Sequence, residues 1–92
     1  MSDETRIIEV CVRNELGMHA RPAALLAKEA QKFKAEVVLA LDGREVDGKS
    51  VLDILTLAAT QGAHMQIKVT GEDAGEAAQQ LEKVFKQGLG GG

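Results

Sequence analysis

The spacing of apolar residues changes repeatedly along this chain, and that change is the strongest constraint on its fold. In some segments apolar and polar residues alternate, as in half-buried strands, and in others apolar residues recur every three or four positions, as on one face of a helix. The segments follow the order β-α-β-β-α-β-α. Because such short elements bury their apolar faces only against one another, the pattern predicts an α+β domain of two layers, with three helices covering one face of a four-stranded, mostly antiparallel sheet.

Turn and capping residues mark where these segments begin and end. Asp42-Gly43 between two strand-like runs is a strong hairpin signal, and Ser50-x-x-Asp53 and Asp73-x-x-Glu76 are typical of helix starts. The predicted elements are a strand over Arg6–Val12, a helix from His19 or Ala20, strands over Glu36–Leu41 and Arg44–Asp47, a helix from Ser50 through Leu57, a strand over Met65–Val69, and a last helix that packs through Ala77, Leu81, Val84 and Phe85. On the first helix the pattern places Lys28, Glu29, Gln31 and Lys32 opposite the apolar face.

Length and composition favour one domain over residues 1–92. Apolar residues make up 45% of the 92 residues and aromatic residues 2%, so we expect a core built from aliphatic side chains. Residues 88–92 are nearly all glycine, which predicts a flexible tail. Cys11 is the single cysteine, so neither an internal disulfide nor a cysteine-based zinc site is expected, and we interpret it as a small buried residue.

Charge and hydropathy disfavour several classes of function. The net charge of −3 and the two aromatic residues give little basis for binding nucleic acid. The longest apolar stretches have five residues, whereas a membrane-spanning helix needs about 20, so no membrane insertion is expected. The acidic N-terminal residues lack the features of a secretory signal, which predicts a cytoplasmic protein.

The segment Gly17-Met18-His19-Ala20-Arg21-Pro22 holds the residues best suited to chemistry. A helix start presents unpaired backbone N–H groups and the positive end of the helix dipole, so it favours an anion such as phosphate. A neutral imidazole at His19 is a nucleophile for a phosphoryl group, and the Arg21 guanidinium is suited to the phosphate oxygens. The alternative is a surface histidine at a helix start beside a solvated arginine.

The segment Leu16-Gly-Met-His-Ala-Arg-Pro-Ala-Ala24 resembles the active-site motif of the histidine-containing phosphocarrier proteins, HPr, of the bacterial phosphoenolpyruvate-dependent phosphotransferase system. The resemblance extends through Gly48-Lys-Ser50, Gly62 and Gly71, and covers the chain from about Arg6 to Phe85. It implies an open-faced β-sandwich and a phosphoryl carrier that needs no cofactor or metal. His19 would accept the phosphoryl group on Nδ1 from enzyme I and pass it to a histidine of an EIIA domain. The phosphate would be bound by His19, Ala20 and Arg21.

The resemblance also assigns a regulatory site and a docking surface. Ser50 is a helix N-cap by its position, and in many HPr proteins the matching serine is phosphorylated by an HPr kinase/phosphorylase. The helix after it is too apolar for all its side chains to face the sheet, so part of it is expected to dock partners; a wide buried stripe is the alternative. The predicted partner surface consists of Met18, Ala20, Lys49, Val51, Leu52 and Leu55.

Other functions stay open at this point. The same motif also suits the nitrogen-related branch of the system, and a phosphorylated Ser50 could serve a regulatory module that binds a transcription factor. A small-ligand or RNA-binding α+β domain is disfavoured by the negative charge and the lack of a glycine-rich nucleotide loop. His64 is interpreted as a solvated strand residue, and a monomer is expected because a carrier must dock successive partners.

Overall fold

The computed structural model describes residues 4–89, which form one four-stranded sheet and three helices in the predicted order. The sheet has the strand order β1-β4-β2-β3 with every neighbouring pair antiparallel, and the helices pack against it and against one another. The predicted two-layer α+β architecture is therefore confirmed. None of the helices in the described part of the chain is long and apolar enough to cross a membrane. The elements are β1 Glu4–Cys11, α1 Ala20–Ala30, β2 Glu36–Leu41, β3 Arg44–Asp47, α2 Val51–Thr56, β4 His64–Gly71 and α3 Ala74–Lys86.

The sheet has one buried face and one open face. Residues facing the helices pair across strands, as in Val10 with Met65 and Leu39 with Ile67, and they are buried. Gln66 and Lys68, which alternate with them, are exposed on the other face. Each large aliphatic side chain buried in this way contributes about 1.5–3 kcal/mol relative to exposure, so the alternation fixes which face of each strand meets the helices. The buried strand residues are Val10, Val37, Leu39, Met65, Ile67 and Val69.

The hairpin between β2 and β3 has the predicted two-residue turn. Asp42 and Gly43 both have positive φ angles, 52° and 83°, as a type I′ turn requires. Cys11, which was expected to be buried, is only half-buried, because it alternates with Val10 and therefore belongs to the open face of the sheet.

Helices α1 and α3 present mainly alanine and a few larger apolar residues to the core. The predicted apolar face of α3 is confirmed, since Ala77, Leu81, Val84 and Phe85 are all buried. The predicted outer face of α1 is wrong at Glu29, which is buried. Its carboxylate accepts hydrogen bonds from Lys32 Nζ at 3.0 Å and from Gln80 Nε2, on α3, at 3.1 Å. The Lys32 hydrogen bond is the main reason that the pKa of Glu29 lies below its ordinary value.

The capping box predicted at the start of α3 does not form. Asp73 occupies the N-cap position, but its side chain makes no capping hydrogen bond to its own helix. Instead its two carboxylate oxygens accept from the backbone N–H groups of Lys34 and Ala35, each at 2.8 Å. These bonds, that from Lys34 first, lower the pKa of Asp73. The carboxylate therefore provides acceptors for backbone N–H groups of the turn between α1 and β2, which lies 38 residues earlier in sequence.

The tail predicted to be flexible begins as ordered structure. Gly88, with φ 77°, donates its N–H to Phe85 O, and Leu89 donates to Val84 O, each at 3.0 Å. This pair of bonds is the Schellman motif, which ends helices with a left-handed residue. Leu89 is 1% exposed, so packing of its side chain holds the motif against the core and corrects the prediction at residues 88 and 89. The rest of the predicted tail, residues 90–92, lies outside the described part of the chain.

Candidate functional site

His19 occupies the N-cap position of α1. Its backbone is extended, with φ −90° and ψ −171°, and its carbonyl accepts from Ala23 N–H at 3.0 Å. The imidazole makes no capping hydrogen bond to the helix, and the residue is half-buried. The N–H groups of Ala20 and Arg21 in the first turn have no acceptor within the helix. The residue that carries the ring and these donors therefore lie at the same helix end.

A tight turn places His19 at this end. Gly17 has φ 71°, donates its N–H to Asn14 O at 2.9 Å, and accepts from His19 N–H at 3.0 Å. A Cβ atom at Gly17 would collide with Ala59 O and would lie 3.0 Å from Thr60 Cα. Position 17 therefore requires glycine for both its backbone angle and its close contact with the loop after α2. No local sequence signal predicts this contact, because Ala59 lies 42 residues later in the chain.

The two residues after His19 point to solvent. Ala20 and Arg21 are exposed, Pro22 is buried in the first turn, and that turn contains no acidic residue. Within residues 4–89, the Arg21 guanidinium makes no ion pair or hydrogen bond. It is therefore available to an anion bound at the start of α1. His19, Ala20 and Arg21 are thus adjacent in the structure, as the phosphate-binding prediction requires.

Ser50 begins α2 as predicted. Its Oγ accepts from the backbone N–H of Asp53 at 3.2 Å. The Asp53 carboxylate does not return to Ser50, as it would in a full capping box, but accepts from Asp47 N–H at 3.3 Å. Lys49 precedes Ser50, and its Nζ donates to Phe33 O at 2.7 Å. The ammonium group of Lys49, which belongs to the predicted partner surface, is therefore bound to the carbonyl of a residue just after α1.

Helix α2 divides its apolar residues between the core and the surface. Ile54 and the following Leu57 are buried, Val51 and Leu55 are half-buried, and Leu52 is 76% exposed. The predicted outward-facing apolar residues are therefore present on α2.

Met18 does not belong to this exposed surface, contrary to the prediction. It is 4% exposed and packs in the core, because its N–H donates to Ala59 O at 2.8 Å and this bond holds the segment against the loop after α2. Leu16, which was not predicted to be part of the surface, is 77% exposed three residues before His19. An apolar residue in a turn that also contains Gly17 and polar residues was the available signal.

The second histidine lies on the other layer. His64 is the first residue of β4, pairs with Cys11 of β1, and is exposed. Because Met65 faces the helices, His64 faces the open side of the sheet. It is therefore a solvated strand residue, as predicted, and lies on β4 rather than at the start of α1.

Comparison with known proteins gives a consistent result. Residues 8–87 match the family described as the PTS HPr component phosphorylation site. A phosphocarrier protein HPr of Xylella fastidiosa is 40% identical over 85% of this chain and 88% of its own. The crystal structure of HPr-C-His from Thermoanaerobacter tengcongensis superposes with a TM-score of 0.90 at 30% identity, covering 95% of this chain and 98% of the other. The crystal structure of Bacillus subtilis Crh, a catabolite-repression protein described as a dimer with a swapped domain, has a TM-score of 0.73 at 36% identity, covering 84% and 88%.

Proposed function

This chain belongs to the HPr family of phosphocarrier proteins of the phosphotransferase system, and we propose that it carries the phosphoryl group on Nδ1 of His19. It receives the group from the phosphohistidine of enzyme I and passes it to a histidine of an EIIA domain. Three helices cover the buried face of the sheet, and the site lies at the end of one of them.

One observation carries this proposal. His19 is the N-cap residue of α1, its imidazole is not engaged in capping, and the residues that follow it carry backbone donors that lack an acceptor within the helix. An uncapped helix start attracts an anion through these N–H groups and through the helix dipole. The absence of an acidic side chain from the first turn leaves this attraction unopposed there.

The mechanism follows from this arrangement. A lone pair on the His19 ring nitrogen forms a bond to phosphorus while the bond from phosphorus to the donor's histidine nitrogen breaks, and the electrons of that bond return to the donor ring. The protein mainly positions the group and stabilises charge on its oxygens during such a transfer. Arg21 and the first-turn N–H groups of α1 supply that stabilisation. The reverse sequence at the EIIA domain releases the group, with His19 as the leaving group.

Labelling with enzyme I and phosphoenolpyruvate tests the proposal. The wild-type chain should gain an acid-labile, alkali-stable phosphate, as phosphohistidine does. His19→Ala should remain unlabelled and Ser50→Ala should be labelled normally, with His64→Ala as a matched control for the second imidazole. Labelling of His19→Ala at the wild-type level would show that another residue accepts the group.

We propose in addition that phosphorylation of Ser50 by an HPr kinase/phosphorylase regulates the carrier. The likeness to Crh, a catabolite-repression protein, favours a regulatory role in general. The half-exposed position of Ser50 at the start of α2, beside the exposed Leu52, leaves its hydroxyl accessible for modification. A phosphoserine adds a charge of about −1.5 to −2 next to the docking surface and would repel an acidic partner face.

The charge on Ser50 can be mimicked. Ser50→Asp should slow the phosphorylation of His19 by enzyme I, whereas Ser50→Asn, which keeps a capping side chain without the charge, should leave it close to wild type. Rates of labelling for the three proteins give the answer. Equal rates for Ser50→Asp and Ser50→Asn would exclude inhibition by charge.

The proposal also covers the oligomeric state, the location and the branch of the phosphotransferase system. We expect a monomer, because His19 must be reached by two partners in turn. We also expect the protein to work in the cytoplasm. We assign the chain to the sugar branch of the system, with the nitrogen branch as the alternative. Rates of phosphoryl transfer to an EIIA domain of the sugar branch and to one of the nitrogen branch distinguish the two. The faster acceptor identifies the branch.

A further inference from the structure

The turn before His19 contains a buried polar side chain that the transfer chemistry does not itself use. Asn14 lies five residues before His19 and is 4% exposed. Burying an amide costs free energy unless it is hydrogen-bonded, so a buried asparagine in a loop is held by specific contacts. Those contacts connect two distant parts of the chain.

Three hydrogen bonds join the end of α3 to His19 through this residue. Asn14 Nδ2 donates to Gly88 O at 2.8 Å, across 74 residues of sequence. Gly17 N–H donates to Asn14 O at 2.9 Å, and His19 N–H donates to Gly17 O at 3.0 Å. The backbone position of His19 is therefore linked, bond by bond, to the C-terminal end of the last helix.

The acceptor at the far end of this path is itself held in place. Gly88 O belongs to the Schellman motif that ends α3, with Leu89 N–H bonded to Val84 O. Leu89 has φ 49°, a left-handed conformation that is unfavourable for a residue other than glycine. Burial of its side chain offsets that cost. The buried leucine thus anchors the carbonyl to which Asn14 donates.

We propose that Asn14 is a positioning residue for phosphoryl transfer. Its side-chain amide fixes the turn that sets His19, and with it the imidazole, against the first-turn N–H groups of α1. The inference rests on the proposed role of His19 as acceptor. A displacement of about 1 Å from the reactive geometry lowers transfer rates by about 10²-fold, so a loosened turn is costly. Asn14 is 4% exposed, so its side chain offers little surface to a partner.

Asn14→Asp tests the inference because it keeps the size of the side chain and replaces the donor with an oxygen that repels Gly88 O. With enzyme I and phosphoenolpyruvate, the kcat for phosphorylation of the carrier should fall by at least about tenfold, and its KM should stay unchanged. NMR signals of the His19 ring should shift while those of His64 stay in place. Ile67→Val, which weakens the sheet core without touching the turn, is the matched control and should keep the wild-type kcat.

A folded Asn14→Asp protein with the wild-type kcat and unshifted His19 ring signals would overturn the inference. If that variant does not fold, Leu89→Ala decides by the same two measurements: a lower kcat with shifted His19 signals supports the inference, and wild-type values refute it. His19→Ala separates the two proposals. If His19→Ala is labelled like wild type, His19 is not the acceptor. If His19→Ala loses the label and Asn14→Asp keeps the wild-type rate, only the positioning role of Asn14 is refuted.

Discussion

At the scale of single residues, the proposed site has side chains that would contact a phosphoryl group and other residues that only position them. Arg21 is exposed and unpaired within residues 4–89, which suits a group that waits for an anion. Gly17 is buried, and its positive φ and close approach to Ala59 set the direction in which the chain enters α1. Replacing Arg21 should therefore slow phosphoryl transfer, whereas replacing Gly17 should lower the stability of the fold.

Arg21→Ala should leave the fold intact and slow phosphoryl transfer by at least about tenfold, or ~1.4 kcal/mol, because charge on the phosphate oxygens loses its cation. Arg21→Lys keeps the charge without the planar fork and should give an intermediate rate. Single-turnover transfer rates measure both. A rate for Arg21→Ala equal to that of wild type would remove Arg21 from the site.

Gly17→Ala should lower the free energy of unfolding by about 2–3 kcal/mol, since it combines an unfavourable positive φ with overlap against Ala59 O. Gly62 is the matched control, because it also has a positive φ, 89°, but its Cβ would meet nothing within 4 Å. Gly62→Ala should cost about 1 kcal/mol. Urea unfolding compares the two. Equal losses would mean that the contact with Ala59 does not matter.

At the scale of elements, the sequence predicted those turns and helix starts that depend on interactions between neighbouring residues. The hairpin at Asp42-Gly43 and the start of α2 at Ser50 depend on neighbouring residues, and both are as predicted. The errors at Asp73 and at residues 88 and 89 have a common cause. Each side chain or turn is held by a partner that is distant in sequence or by burial, and hydrophobic periodicity carries no information about such partners.

Glu29 makes the stability of the packing between α1 and α3 depend on pH. Its pKa is lowered in the folded protein, chiefly by the Lys32 hydrogen bond, below the ordinary value of 4.5. The unfolded chain therefore binds the proton first, so the stabilisation is present above about pH 4.5 and is lost as pH falls through the folded pKa. Glu29→Gln should be less stable than wild type at pH 7 and should lose less stability on acidification. Urea unfolding from pH 7 to pH 3 measures this, and parallel curves for the two proteins would refute it.

At the scale of the whole molecule, the two-layer arrangement keeps the proposed chemistry on one side. The site lies at the start of α1 in the helix layer, whereas His64 is on the open face of the sheet. The adjacency of His19, Ala20 and Arg21 could be predicted because the three are consecutive in sequence. The docking surface was predicted less well, since the burial of Met18 and the exposure of Leu16 depend on how the turn packs against the loop after α2.

The position of the phosphoryl group tests the central claim most directly. In a uniformly ¹⁵N-labelled carrier incubated with enzyme I and phosphoenolpyruvate, NMR should show coupling between phosphorus and Nδ1 of the His19 ring. The ring signals of His64 should not change. Coupling at His64, or phosphorylation that leaves both imidazoles unchanged, would contradict the account.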